Sequence, residues 1–373
     1  MSEETQYEPD RVEGVAHPRL TRALYGQSEA EVAFLAAYNS DTLHHAWLLT
    51  GPRGVGKATL AWRMARFLLS QPAADGMFGA EPASSLDTPE DHPVVHRVAA
   101  LGEPRLFLMR PGVNPSTGTP RRDITVDQSR KLRDFLHLSA ADGGRRVVVI
   151  DSADQMNVPA ANALLKLLEE PPALTTFLLV SHAPATLLPT IRSRCRTLAC
   201  RPLAPDDLAS ALERAGLSTE VPALVLAELA SGSVGEAARL LNEDGPATYA
   251  RLVKLFESCP DMDRQALLSL TNGITVAAGQ TRMDILVRLI ELMLSRLARH
   301  GAGAPPQSEA ARGEAQLLAR LAPDVEAARR WAALHQAAIA RLDQGRRVNL
   351  DPSALILDTG ASINDTGRDI LSR

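Results

Sequence analysis

Aromatic residues are scarce in this chain, 4% of 373 positions, so its core must rest on aliphatic side chains. Ala, Leu and Arg dominate instead, which favours helix. Cysteine is scarcer still. Cys195, Cys200 and Cys259 show no zinc-ligand spacing and suit a reducing compartment. No run approaches the roughly 18 apolar residues that span a bilayer. The start, MSEETQYEPD, lacks the charged-then-apolar order of a secretion signal. A cytoplasmic protein without membrane contact is expected. Strong charge is missing too. A net charge of -4 argues against a free-standing nucleic-acid binder, so any DNA contact would come from a local patch or a shared surface. Hydrophobic residues are present in ordinary measure, 45%, and the length allows two or three domains.

The most informative stretch is 147–195. Residues 147–150 are a β-branched run ending in Asp151, short and apolar enough for a strand buried on both faces of a parallel sheet. Asn157 fits an N-cap and Pro159 the first helical turn. Ala161, Leu164, Leu165 and Leu168 recur at helical spacing until Pro171-Pro172 stops the helix. Residues 177–180 read as a second buried strand, and 187–192 as a helical turn leading to Ser193-Arg194-Cys195. Together these make one α/β unit. Upstream, a strand-like run at 46–49 leads into Gly51-Pro52-Arg53-Gly54-Val55-Gly56-Lys57-Ala58-Thr59, close to the phosphate loop G-x-x-x-x-G-K-[ST]. Glycines let backbone N–H groups curl around a phosphate, and the following helix adds its positive N-terminus. With Asp151 closing an apolar strand downstream, the pattern points to an ATPase-type core.

The segments HHAWLLTGPRGVGKATLA, VDQSRKLRDFL, VVVIDSADQMNVPAANALLKLLEEPP and LLPTIRSRC resemble the delta-prime family of bacterial DNA polymerase III clamp-loader subunits, within the AAA+ superfamily. The resemblance covers 18–245. It implies an α/β P-loop AAA+ core with a parallel sheet, a small helical lid and an all-α C-terminal collar. The expected division is a disordered tail at 1–17, the core at 18–202, the lid at 203–245 and a collar for oligomerisation at 246–373. Within the core, 71–91 reads as a flexible insertion. Many relatives carry a four-cysteine zinc module there, but this chain has no cysteine in that stretch, so no zinc is expected.

The hydrolytic parts can be checked one by one. Lys57 is present to meet phosphates. The next position needs a hydroxyl for Mg²⁺, but it is Ala58, and Thr59 is rotated by roughly 100° along the helix. Asp151 is kept, while the adjacent base of active relatives is replaced by Ser152; losing a positioned base costs about 10²–10⁴ in rate. In the lid, relatives that hydrolyse ATP place an arginine after the Gly-Ser-x triplet. Here Gly232-Ser233-Val234 is followed by Gly235. Gly51, Gly54, Gly56, Lys57, Thr59 and Asp151 therefore form a degenerate nucleotide site, with weak, nearly Mg²⁺-independent ATP binding and no required cofactor. Intrinsic catalysis is not expected, although the chain would be a subunit of a nucleotidyltransferase holoenzyme.

The resemblance also implies that Arg194 acts in trans as an arginine finger. The residues alone leave open that Arg192, Arg194 and Arg196 are surface charges. The implied partners are the tau/gamma and delta subunits, and the sliding clamp and primer-template DNA through the complex. Lys166 reads either as a solvated helix face or as a DNA-facing residue. His92 and His96 read as surface histidines, and His182 as the vestige of a γ-phosphate sensor.

Elsewhere, 18–38 reads as helical packing broken at Gly26-Gln27, 105–109 as a strand, and 124–136 as a helix opening. Helices follow at 205, 221–229 and 234–241, then throughout the collar, broken at 301–306. A last helix is capped near Asp351-Pro352 and runs to Leu357. Three functions compete: a non-hydrolysing clamp-loader subunit, an ATP-hydrolysing AAA+ protein acting on nucleic acid, and an AAA+ scaffold unrelated to replication. Ser193-Arg194-Cys195 favours the first, the intact glycine loop with Lys57 the second.

Overall fold

The computed structural model describes residues 8, 11–71, 82–114, 119, 121, 123–137, 144–271, 280–348 and 350–372. By compactness the chain forms two units. The first is Met1–Gly216 with Ser233–Gly235, and the second is Leu217–Gly232 with Glu236–Arg373.

The first unit carries α1 (Ser28–Asn39), β1 (Ala46–Thr50), α2 (Lys57–Ser70), α3 (Pro93–Ala99), β2 (Leu106–Met109), α4 (Val126–His137) and β3 (Arg146–Ile150). It continues with α5 (Val158–Glu169), β4 (Thr175–Ser181), α6 (Pro189–Arg192), β5 (Arg196–Ala199) and α7 (Pro205–Arg214). The five strands pair in parallel in the order β2-β3-β4-β1-β5. β4 is buried along its whole length, as its unbroken apolar run requires when helices cover both faces. α2 buries ten of its fourteen residues, among them Trp62, Met64 and Phe67. The Asn157 side chain accepts from Ala160 N at 3.0 Å and starts α5, whose Ala160, Ala161, Leu164 and Leu168 enter the core.

The second unit is helical: α8 (Ala223–Ala230), α9 (Val234–Asn242), α10 (Gly245–Glu257), α11 (Arg264–Ser269), α12 (Gln280–Gly301), α13 (Glu314–Leu321), α14 (Val325–Arg347) and α15 (Pro352–Leu371). Ser233 and the first two residues of α9, Val234 and Gly235, group with the sheet unit. Leu289, Met293, Leu294, Leu297 and Trp331 are fully buried within the helical unit. A polar network crosses this core. Arg296 meets Glu314 at 2.7 Å and Glu228 at 3.0 Å, and Tyr249 donates to Glu314. Burying such charges is tolerable only because each finds a partner. The parallel-sheet core and the helical C-terminal region are thus both present.

Several expectations give way. The first part of 18–38 is irregular up to Ser28, because Arg66 fixes its backbone by donating to the carbonyls of Arg19 (2.8 Å) and Thr21 (3.1 Å). The described part of the tail, residues 8 and 11–17, is tied down: Glu8 pairs with Arg19 at 2.8 Å, and His17 is buried. In the 71–91 insertion, residues 72–81 lie outside the described residues. Residues 82–91 are held to the core, with Asn39 exchanging two 2.9 Å hydrogen bonds with Ala83, Asp87 pairing with Arg63 at 3.0 Å, and Leu86 buried. α3 and β5 were not expected, and α15 runs to Leu371 rather than Leu357.

Candidate functional site: a phosphate loop and a surface arginine

β1 delivers the chain to the phosphate loop, and α2 begins at Lys57 after Gly56 in a left-handed conformation (φ 103°). This is the strand–glycine loop–helix order the motif requires. Gln27 pins it from the side. Its amide donates to Val55 O (3.0 Å) and Arg201 O (2.8 Å) and accepts from Arg201 N (3.0 Å).

The loop is occupied by its own chain. Lys57 is 2% exposed and its Nζ donates to Gly51 O at 2.7 Å and to Pro52 O. Burial pulls its pKa down to about 8, against the opposing pull of Cys200, Asp154 and Asp151. From the other side, Gly235 N donates to Gly54 O at 3.2 Å. Gly54 (φ 77°) has no room for a side chain, since a Cβ there would overlap Ser233 Oγ; a Cβ at Gly235 would come within 3.2 Å of Gly54 Cα. The position at which active relatives were expected to hold an arginine thus carries a residue whose lack of side chain lets it pack on the loop. Thr59 and Ala58 are half-buried on α2.

Asp151 is 4% exposed at the end of β3, where its N–H donates to Met109 O at 2.9 Å. Ser152 follows in the left-handed region (φ 63°), and its Oγ lies 3.3 Å from His182 Nε2. His182 N donates to Asp154 Oδ1 at 2.8 Å. A serine hydroxyl is itself too weak a base to take the proton of an attacking water.

Arg194 lies beyond α6, in the turn before β5. Its Nη2 meets Glu169 Oε1 at 2.7 Å and its Nη1 donates to Thr190 O at 3.0 Å, with 35% of the side chain exposed. Cys195 beside it packs on the sheet core, where burial pushes the thiol up to about 12, so it is not a reactive nucleophile. The structure therefore brings Gly51, Gly54, Gly56, Lys57 and Thr59 together at the start of α2, with Asp151 near enough to act on Lys57, and engages Arg194 elsewhere.

Gly235, Gln27 and Glu169 were not singled out as site residues by sequence. Only Gly235 left a signal, a glycine in place of the expected arginine. Lys166 is exposed on α5. His92 caps α3 by accepting from Val94 N at 3.2 Å. No cluster of three or more metal-ligating side chains occurs among the described residues, and no helix among them is long and apolar enough to cross a membrane.

Comparison with known proteins gives a consistent picture. Residues 26–204 match the family model described as "DNA polymerase III, delta subunit". DNA polymerase III subunit delta' of Pseudomonas aeruginosa is 44% identical over 192 residues, 51% of this chain and 53% of that protein. The chain's match thus spans about half the length of this relative. Subunit delta' of Escherichia coli is 31% identical over 268 residues, 71% of this chain and 73% of that protein. A gamma-subunit-related protein of Thermotoga maritima aligns over 90% of this chain and 100% of its own at 18% identity, with a TM-score of 0.39, too low to argue from. On identity and coverage together, the chain belongs to the DNA polymerase III delta' family.

Proposed function

We propose that this chain is a non-hydrolysing, stator-like subunit of the DNA polymerase III clamp loader. In this reading it joins the tau/gamma and delta subunits and helps place the sliding clamp on primed DNA in the cytoplasm. Residues 18–202 form the AAA+ core, 203–245 the lid and 246–373 the collar that holds the assembly together. One observation carries the reading. The groups a phosphate would need are already engaged within the chain, Lys57 by the carbonyls of Gly51 and Pro52 and Gly54 by Gly235, while Arg194 stays at the surface.

A bound triphosphate would have to draw Lys57 out of its loop and move Gly235 off Gly54. Ala58 offers no oxygen to Mg²⁺, and Ser152 offers no base. ATP binding at Gly51, Gly54, Gly56, Lys57, Thr59 and Asp151 is therefore weak and nearly independent of Mg²⁺, and the chain needs neither cofactor nor zinc. Arg194 has the opposite capability. A guanidinium stays charged and offers a planar fork that can neutralise a phosphoryl group on a neighbour.

The test is reconstitution with tau/gamma and delta. Co-elution in gel filtration, no turnover by the chain alone, and clamp- and DNA-stimulated hydrolysis that falls with Arg194→Ala are expected. A chain that fails to co-elute, or that turns over ATP alone at about 1 s⁻¹ in a Lys57-dependent way, overturns the reading.

A further inference from the structure

Arg194 is held by two acceptors set on separate elements. Glu169 is the last residue of α5, and Thr190 belongs to α6. Each engages one terminal nitrogen of the guanidinium, Nη2 at 2.7 Å from the carboxylate and Nη1 at 3.0 Å from the carbonyl. Those nitrogens form the fork with which a guanidinium meets a phosphate side by side. The two uses exclude each other. An arginine whose fork faces Glu169 is neutralised and cannot offset charge on a phosphoryl group.

We infer that Glu169 is a latch that holds Arg194 in a parked rotamer and yields it when a nucleotide-bearing neighbour docks. This rests on the proposal that Arg194 acts in trans. Glu169 is a positioning residue, since it touches Arg194 and acts only through it. The end of α5 reinforces the parked state, because carbonyls at a helix C-terminus favour a nearby cation. With 35% and 47% of the two side chains exposed, the pair is wet and opens at small cost. The latch therefore tunes the neighbouring site rather than blocking it. It also keeps the unassembled subunit from presenting a bare guanidinium to other anions.

The test uses the assembled loader with its other ATP sites silenced at their own phosphate-loop lysines, so that turnover reports the site facing this chain. Steady-state hydrolysis with clamp and primed DNA is measured against ATP concentration for wild type, Glu169→Gln, Arg194→Ala and the double variant. Glu170→Gln, which removes the adjacent exposed charge, is the control. Glu169→Gln is expected to raise kcat/KM about two- to five-fold with unchanged assembly, and added salt to shrink that gain. Glu170→Gln leaves turnover unchanged, and in the Arg194→Ala background Glu169→Gln does nothing. If Arg194→Ala lowers turnover but Glu169→Gln does not raise it, the latch is wrong and the finger stands. If Glu169→Gln acts equally without Arg194, it works by another route. If Arg194→Ala has no effect, the finger fails and the latch with it.

Discussion

Lys57 is 2% exposed and donates to carbonyls of its own loop, whereas Arg194 keeps 35% of its side chain in water and pairs with a carboxylate near the surface. Both residues belong to the sheet unit, and both are cations suited to phosphate. They differ in solvation and in what they can still do. Desolvation has pulled the Lys57 ammonium toward its neutral form, and two of its three donors are engaged by Gly51 and Pro52. The pair that holds Arg194 is partly exposed, so its two acceptors can be exchanged for others at small cost. The glycine loop and its lysine are engaged within the chain, while the arginine outside any glycine loop is held only by a partly exposed pair.

The largest expected effect lies on the Arg194 side. Arg194→Ala should cut hydrolysis at the one site it faces by about 10³-fold or more. Total turnover of a loader with several active sites should fall only in part. Arg194→Lys should rescue poorly, since an ammonium lacks the planar fork. Stopped-flow phosphate release from reconstituted complexes measures both. An unchanged rate would place Arg194 with the ordinary surface charges and erase the contrast.

The next effect tests how costly the buried ammonium is. The folded pKa of Lys57, about 8, lies below its ordinary value of 10.5, so the unfolded chain binds the proton more tightly. Keeping Lys57 charged and buried costs stability below pH 8. That cost disappears as pH rises from about 8 to about 10.5. Urea unfolding of wild type and Lys57→Met, compared across this window, should show wild type gaining stability relative to the variant. The ceiling is about 3 kcal/mol, at about 1.4 kcal/mol per pKa unit. A flat difference would mean that Lys57 is solvated in the folded protein.

A smaller effect separates packing from backbone strain. Gly54→Ala places a methyl against Ser233 at φ 77°, whereas Gly216→Ala adds one at φ 78° with nothing within 4 Å. Left-handed strain of about 1 kcal/mol is common to both, and the first should cost about 1–2 kcal/mol more. Equal midpoints in urea would show that Ser233 and Gly235 do not fill the loop in solution.

The smallest expected effect is none at all. Ala58→Thr combined with Ser152→Glu restores the Mg²⁺ hydroxyl and the base on paper. The isolated double variant should still show no ATP turnover, because Gly235 still covers Gly54 and Lys57 still faces its own carbonyls. Measurable turnover would mean that missing chemistry, not a closed loop, had silenced the site.

What could be read from sequence was local. The apolar run at 147–150, the Asn157 cap with Pro159, and the Gly51–Lys57 loop each depend on neighbours within a few residues, and β3, α5 and the start of α2 follow from them. Ala58 and Ser152, on which the proposed loss of hydrolysis turns, were likewise legible, because Mg²⁺ ligation and general base chemistry demand particular atoms at particular positions. β5 was not legible: of Arg196–Ala199 only Leu198 is buried and the other three are exposed, so the segment becomes a strand by pairing with β1. Residues 18–21 and 82–91 gave no sign of their anchoring because local composition does not reveal distant partners; Arg66 holds the carbonyls of Arg19 and Thr21, and Asn39 and Arg63 hold Ala83 and Asp87. Tertiary structure alone decided that Lys57 turns back on its own loop, that Gly235 closes over Gly54, and that Glu169 meets Arg194. Each joins residues that are apart along the chain or depends on the solvation of a charge, and neither is encoded in a spacing.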